Sequence, residues 1–453
     1  MRERIEAALR SSRADYTEVR LEERERTRVD FRGRNLERAD IALDRGGIVR
    51  CLVREGGWGI ATFNDLEDLP RRVEQAYQGA RAIQGEPITL APVPASEDAI
   101  TVSLERDFRG VSLTEKTSLV EGYNAILLGF DPRIVDTQVI YTDVFSRVTL
   151  ANSEGSYIED ERPMVGVWLL AVAREDGNVQ QAGEVVSRPA GYELVLGHEA
   201  LAETVARRAV DLLCAPRVRG GRYTVICNPD LASVFVHEAF GHLSEADLIY
   251  SDPRAREMMV MGRRFGGEHL NIVDDGSLPG LRGTHRYDDE GMPTGRTELV
   301  HNGVLVGRLH SRETAGRMGE RPTGNARATS YRYPPIVRMS NTCIEPGETS
   351  FEEMLRDVEL GIYACDTIGG ETALENFSFS AGYAHMIRDG QVAELIRDVI
   401  LSGNLFVTLE NIDAVGSGFR WADYGVCGKG QGGLAVGMGA PHIRIRDVLV
   451  GGE

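Results

Sequence analysis

The chain has 453 residues and a formal net charge of −18, from 51 basic and 69 acidic residues. That balance argues against non-specific binding to nucleic acid or anionic membrane, since both need a basic face. No apolar run approaches the ~18 residues of a membrane span, six scattered cysteines without a CxxC pair make no disulfide framework, and the charged start MRERIEAALRSSR lacks the apolar core of a signal peptide; the expectation is a cytoplasmic protein of two or three domains.

Taken in order, Glu3 to Ser11 has apolar Ile5, Ala8 and Leu9 at helical spacing and predicts a short amphipathic helix. From Tyr16 the period changes to two. The stretches YTEVRLEE, TRVDFRG, LERADIALD and GGIVRCLVRE predict four strands, separated by Gly- or Asn-bearing turns, of an antiparallel sheet with one wet face. A helix follows from Leu66 to Ile83, and Pro87, Pro92 and Pro94 mark residues 84–97 as an extended connector. A second helix is expected over 113–129, strands over 133–143, 145–151, 155–159, 163–173 and 178–187, and a third helix over 191–213. Helices and strands are mixed without strict alternation, so the fold class is α+β.

The segment APRVRGGRYT at 215–224 predicts a junction, with an N-terminal mixed α/β-type domain over 1–215 and a sheet-rich domain over 216–453. After it, YTVICNP is a buried strand. Asn228 is placed to cap a helix, with Pro229 at its first position and Asp230 in its first turn. Farther on the chain is strand- and glycine-rich, through LNIVDDG, TELVHNGVLVGRLH, NFSFSAGYAHMIRDGQVAEL, NLFVTLENID and HIRIRDVLV. Asn-Gly and Asp-Gly in two of these signal hairpins. One helix is expected among them, with Ser350 and Glu353 as a capping box and Gly361 as its stop.

The helix capped by Asn228 carries HEAFGH, residues 237–242. Two imidazoles and a carboxylate are the parts of a zinc hydrolase: nitrogens to hold the metal and a group to take a proton from water. The spacing is one residue longer than in H-E-x-x-H. On a regular α-helix His237 and His242 would stand about 140° apart, too far round to share an ion. A π-type turn would bring them together, as would a helix that ends at Gly241. The bland alternative is two ordinary histidines on a half-buried helix.

Three protein ligands are usual for a catalytic zinc. Glu245, Asp247 and Cys427 (in the glycine-dense ADYGVCGKGQGG) are the candidates for the third, and spacing does not choose between Glu245 and Cys427. The other cysteines sit mainly in apolar or strand-like runs. Among 51 basic residues only Lys116 and Lys429 are lysines, so Lys429, two residues past Cys427, invites a role for its compact ammonium: favouring a thiolate or receiving a substrate carboxylate. The triplet Asp288–Asp289–Glu290 could bind a hard cation but reads rather as a solvated turn. Arg327, Arg332 and Arg338 lie in a stretch that reads either as a substrate-groove strand or as a packed structural loop.

HEAFGHLSEAD, YDDEG at 287–291, PTGNARATSYRYPPIVRMSNT at 322–342, GGETALENFSFSAGYAHMIRDGQV at 369–392 and GVCGKGQGGLAVGMGAP at 425–441 resemble, in order and spacing, the TldD branch of the TldD/PmbA family. The resemblance covers about 220 residues. It implies a zinc-dependent metallopeptidase acting on short or unfolded polypeptides, with Zn2+ held by His237, His242 and Cys427 and with Glu238 as general base. It further implies a barrel-like C-terminal sheet, an N-terminal half that serves oligomerisation and walls a cavity, and a homodimer or a heterodimer with a PmbA-like subunit. Glu245 is then left supporting the ligands or packing the helix. Lys429, Arg338 and Asn325 are the candidates for contact with substrate. The alternative is a non-catalytic peptide-binding or regulatory subunit, against which the retained Glu238 counts.

Overall fold

In the computed structural model, which describes residues 1–373 and 375–452, one long hairpin takes the place of the four short strands expected at the N-terminus. After α1 (Arg2–Ser11), β1 (Tyr16–Arg32) runs unbroken and pairs antiparallel with an equally continuous β2 (Asn35–Leu52). The glycines that read as a turn at 46–47 lie within β2. A Cβ on Gly46 would strike the Tyr331 ring, and one on Gly47 would strike Phe63 and Leu21, so they are there for close packing. The turn is made by Gly33, at φ +53°. Next come β3 (Trp58–Phe63), α2 (Leu69–Ala82), β4 (Glu97–Ile100) and α3 (Leu113–Phe130), then β5 (Ile134–Asn152), β6 (Tyr157–Glu175), β7 (Asn178–Arg188) and α4 (Glu199–Cys214). Here too, pairs of expected strands fuse into β5 and β6.

These strands form one sheet in the order β3-β2-β1-β5-β6-β4, with β7 also on β6. One of its faces is buried by helices. Ile5 and Leu9 of α1 and Val73, Ala76 and Ala80 of α2 pack with Val19, Val49 and Phe63. Tyr123 and Leu127 of α3, with Val205 and Ala209 of α4, pack with Tyr141, Val167 and Leu169. The connector expected at 84–97 is extended up to β4, and its Ala91 N–H donates to the Arg312 carbonyl at 2.9 Å.

The second half opens with β8 (Gly221–Cys227), α5 (Pro229–Val236), α6 (Ala246–Ser251), α7 (Pro253–Met258), β9 (Ile272–Asp275), β10 (Arg296–His301), β11 (Val304–Leu305) and α8 (Arg312–Met318). It continues through β12 (Ala326–Arg327), β13 (Ile336–Val337), β14 (Asn341–Ile344), α9 (Phe351–Arg356), β15 (Leu360–Ala373), β16 (Asn376–Arg388), β17 (Gln391–Ile396) and β18 (Ile400–Asn404). It ends with α10 (Leu405–Glu410), β19 (Ile412–Trp421), β20 (Val426–Gly428), β21 (Gly433–Ala435) and β22 (Gly437–Gly451). Strands β22, β18, β16, β15 and β8 pair in turn, and β8 pairs back onto β22, which closes a five-stranded barrel. The fold is thus α+β with a barrel-like body in the second half. Helix α5 packs on β22 and β15, and Phe235 meets Phe377 and Phe379 edge-to-face at 5.6 and 5.9 Å.

Both hairpin signals hold: Asn302-Gly303 and Asp389-Gly390 take positive φ at the β10–β11 and β16–β17 turns. Other expectations fail for local reasons. The capping box at Ser350 and Glu353 forms, but α9 stops at Arg356, and Gly361 lies in β15, where a Cβ would press on the Thr224 carbonyl of β8. NLFVTLENID is not a strand. Asn404 accepts from Phe406 N–H at 3.0 Å and Val407 N–H at 3.3 Å and starts α10, a cap that outweighs the β-branched run. Instead of one helix among these strands there are several, two of them behind the caps Asp252 and Ser311.

The acidic triplet is not solvated. Asp288, Asp289 and Glu290 are 3, 3 and 4 % exposed, at a seam between the two sheets. Asp289 meets Arg20 at 3.2 Å and Arg162 at 3.1 Å, while Asp288 accepts backbone N–H groups of Glu290, Met292 and Ala326. Burial here is compensated by hydrogen bonds and opposite charge, which a lone reading of DDE cannot foresee.

Candidate metal centre

Asn228 Oδ1 caps α5 by accepting from Leu231 N–H at 2.9 Å, and Pro229 fills the first helical position. The helix is regular as far as Val236. Residues His237–Gly241 then widen into a π-turn, in which the His242 N–H reaches the His237 carbonyl five residues back. The imidazoles are thereby turned toward one another, with ring centroids 5.2 Å apart. Gly241 is buried against Met339, whose sulfur a Cβ would strike.

The third group arrives from 185 positions away. Cys427 is fully buried in the β20–β21 hairpin, and its Sγ lies 3.6 Å from His242 Nε2. One ligand atom each from His237, His242 and Cys427 can be chosen so that all lie within 4.8 Å of one another. Arginines and a lysine fix the hairpin through its carbonyls and its tip. Arg338 Nη2 donates to the Cys427 carbonyl, Arg282 Nε to Gly425 at 3.2 Å, and Arg327 Nη2 to Ala435 at 2.8 Å.

The donor set suits a divalent metal. His237 is 1 % exposed, and among the described residues neither ring nitrogen has a hydrogen-bond partner. A buried imidazole with two idle nitrogens calls for an explanation, and a cation supplies one. Burial, with His242 and Arg338 adding to it, pushes the His237 pKa well down and keeps the lone pair free. His242 goes the other way: burial opposes its charge, but hydrogen bonds to Cys427 and Glu245 hold it up at about 10.

Glu238 Oε2 lies 4.0 Å from His242 Nε2. Burial raises its pKa, with His242 opposing and Glu245 adding. It opens into a cavity of about 560 Å³ that is also lined by Val426, next to Cys427.

Lys429, Arg338 and Asn325 do not line that cavity. Lys429 donates to Glu245 at 3.0 Å, to Asp247 at 2.8 Å and to the Val337 carbonyl at 2.9 Å. Arg338 is wholly buried behind Cys427, and Asn325 donates to Asp274 at 2.8 Å. Arg332 is paired with Asp44, so this stretch carries both halves of the fold. Sequence reasoning overlooked that Asp230 lines the same cavity as Glu238, although positions 230, 234 and 238 share a helical face.

A closed sheet whose helix turns two histidines toward a distant cysteine, with a carboxylate beside them, fits a metal ion, and the comparisons supply the class, a metallopeptidase. Three models of the PmbA/TldA metallopeptidase match in succession: domain 1 over residues 17–80, the central domain over 106–213 and the C-terminal domain over 220–452. The chain is 46 % identical to metalloprotease slr0863 of Synechocystis sp., over 98 % of this chain and 96 % of that one. It is 34 % identical to metalloprotease MJ0996 of Methanocaldococcus jannaschii, over 95 and 96 % of the two chains. A zinc metalloprotease TldD homolog of Saccharolobus solfataricus is 28 % identical over 90 % of each. Among solved structures, TldE from Thermococcus kodakarensis superposes with a TM-score of 0.76 over 99 % of both chains at 16 % identity, which speaks for the fold. The chain belongs to the TldD/PmbA family of metallopeptidases.

Proposed function

We propose that this metallopeptidase is zinc-dependent and hydrolyses short or unfolded polypeptides, with His237, His242 and Cys427 holding the ion and Glu238 as general base. The observation that carries this reading is the convergence of those three donors within 4.8 Å beside a carboxylate that opens into a cavity. When bound, the ion supplies Lewis acidity to a peptide carbonyl and makes water at the site more acidic. Glu238 takes the proton of the attacking water and delivers it to the leaving amine. His237 stays neutral in its buried position, and Glu245 orients His242 through Nδ1 at 3.0 Å.

The preference for extended chains follows from the walls. Strand β15 pairs with β8 only as far as Ala364, and the following residues Asp366 to Gly370 line the cavity. An edge of that kind receives a peptide as an added strand, largely through backbone hydrogen bonds. A cavity of about 560 Å³ admits a peptide segment and excludes a folded domain. Among the described residues no helix is long and apolar enough to cross a membrane, and a cytoplasmic setting is part of this reading. Residues 216–453 then form the catalytic domain. Residues 1–215 form the wall of the cavity and the surface for a second subunit, a copy of itself or a PmbA-like chain.

The test pairs metal analysis with cleavage of unfolded peptides by wild type and Glu238→Ala. About one zinc per chain in both proteins, with cleavage only in wild type, is the expected result. Equal cleavage by Glu238→Ala would remove Glu238 from the mechanism, and a zinc-free wild type would remove the metal.

A further inference from the structure

The cavity at Glu238 follows one face of α5. Asp230, Val234 and Glu238 recur every four residues and all line it. Eight positions at a rise of 1.5 Å put Asp230 about 12 Å from Glu238. Toward the outside, Trp168 and Tyr424 form an edge-to-face pair at 5.7 Å, and both are more than one-third exposed. The cleft therefore has an apolar rim and a run of carboxylates along its floor.

Most of those carboxylates are matched. Glu184 and Asp366 each lie 2.8 Å from Arg208, and Asn228 also donates to Asp366 at 2.9 Å. Asp423 pairs with Arg188. Apart from Glu238, Asp230 is the exception: among the described residues its ion-pair partner is Arg420, 3.3 Å away on a side chain 55 % exposed. A solvated arginine at that distance compensates little. Burial, against which Arg420 works, raises the Asp230 pKa to about 6. An acid in the first turn also offsets the helix dipole, which explains a carboxylate at this position but not its opening into the cavity.

We propose that Asp230 is a specificity-determining residue that receives a cationic group of the substrate, three or four residues from the bond that is cut. The spacing comes from the 12 Å above, because an extended chain advances about 3.3 Å per residue. The cation is a Lys or Arg side chain or the free α-amine; the shared chemistry is an ammonium or guanidinium entering a partly desolvated carboxylate site. This inference rests on the peptidase reading of Glu238.

The experiment uses a series of neutral, unstructured, fluorescently labelled peptides. One lysine or one norleucine is moved through each position, with the N-terminus free or acetylated. Binding is read by anisotropy on the full-length Glu238→Ala protein, and the bond cut by wild type is read by mass spectrometry. Lysine peptides are expected to bind about tenfold tighter than norleucine peptides, with the cut at a fixed offset of three or four residues from the lysine. If acetylation weakens binding while lysine and norleucine peptides bind alike, the α-amine is the group recognised; if lysine tightens binding with the N-terminus free or acetylated, the side chain is. Asp230→Asn should bring the lysine-to-norleucine ratio to about one, and Arg420→Ala, which removes the competing cation, should raise it. No preference for either cation, lysine side chain or free α-amine, or a preference that survives Asp230→Asn and ignores Arg420→Ala, overturns the proposal. Preferential binding without cleavage sinks the peptidase reading and leaves the subsite standing; cleavage without preference does the reverse.

Discussion

Glu245 is 1 % exposed, and a single oxygen of it, Oε2, lies 3.0 Å from both His242 Nδ1 and Lys429 Nζ. Lys429 is in turn shared with Asp247, which leaves the ammonium with two carboxylates and a carbonyl. The lysine two residues beyond Cys427 thus ties the cysteine hairpin to the segment after His242. This arrangement fixes the imidazole with Nε2 facing Cys427, the orientation in which it can bind an ion. Glu245→Gln is expected to keep the fold and weaken zinc binding by roughly 10- to 100-fold. Competition against a chromophoric chelator reads this without any assay of activity; an unchanged dissociation constant would relegate Glu245 to packing.

At the scale of the element, α5 and its π-turn join the site to the barrel. Asn228 caps the helix through Leu231 and also accepts from and donates to Asp366 of β15, so one side chain sets both the helix axis and the start of the open strand edge. Asn228→Ala should cost about 1–2 kcal/mol of stability, measured by denaturant unfolding of the metal-loaded protein. A change of a few tenths would mean that Pro229 and packing of Phe235 suffice to place the helix. The π-turn has a matching cause. With Gly241 packed flat on Met339 and His237 buried beneath it, the extra residue in the turn lets both imidazoles face the same point.

For the whole molecule, the seam at Asp288–Glu290 couples the two sheets through buried charge. Burial pushes Glu290 up to about 7, with Arg50 opposing and Glu18 adding. Its folded pKa is above the ordinary ~4.3 of a glutamate, so its contribution to stability is complete below that value and is lost as pH rises through about 7. Asp289 has the opposite sign: against the cost of burial, Arg20 and Arg162 hold it low, and it is ionised in both states above about pH 5. Between pH 5 and 8, Glu290→Gln should therefore gain melting temperature relative to wild type as pH rises. Parallel curves over that range would show that Glu290 is ionised throughout in the folded protein.

Much of the centre is legible in the sequence because it is local. HEAFGH carries its own geometric demand, and the Asn228-Pro229 cap states where its helix begins. Asn-Gly and Asp-Gly define two hairpins because they alone tolerate the positive φ of those turns. What lies beyond the reach of periodicity is decided by contacts distant in sequence. Whether Gly46-Gly47 is a turn or a place for Tyr331 to pack depends on a residue nearly 290 positions away. Whether Asp288–Glu290 faces water depends on Arg20, Arg50 and Arg162 across the seam. By itself the sequence determined the helix, its cap, the carboxylate beside the first histidine and, through its resemblance to the family, the cysteine to look for. Only the tertiary structure brought Cys427 to within 3.6 Å of His242, engaged Lys429 and Arg338 behind the site, and set Asp230 in the cleft, because burial and charge pairing belong to surfaces that exist only once the two sheets have met.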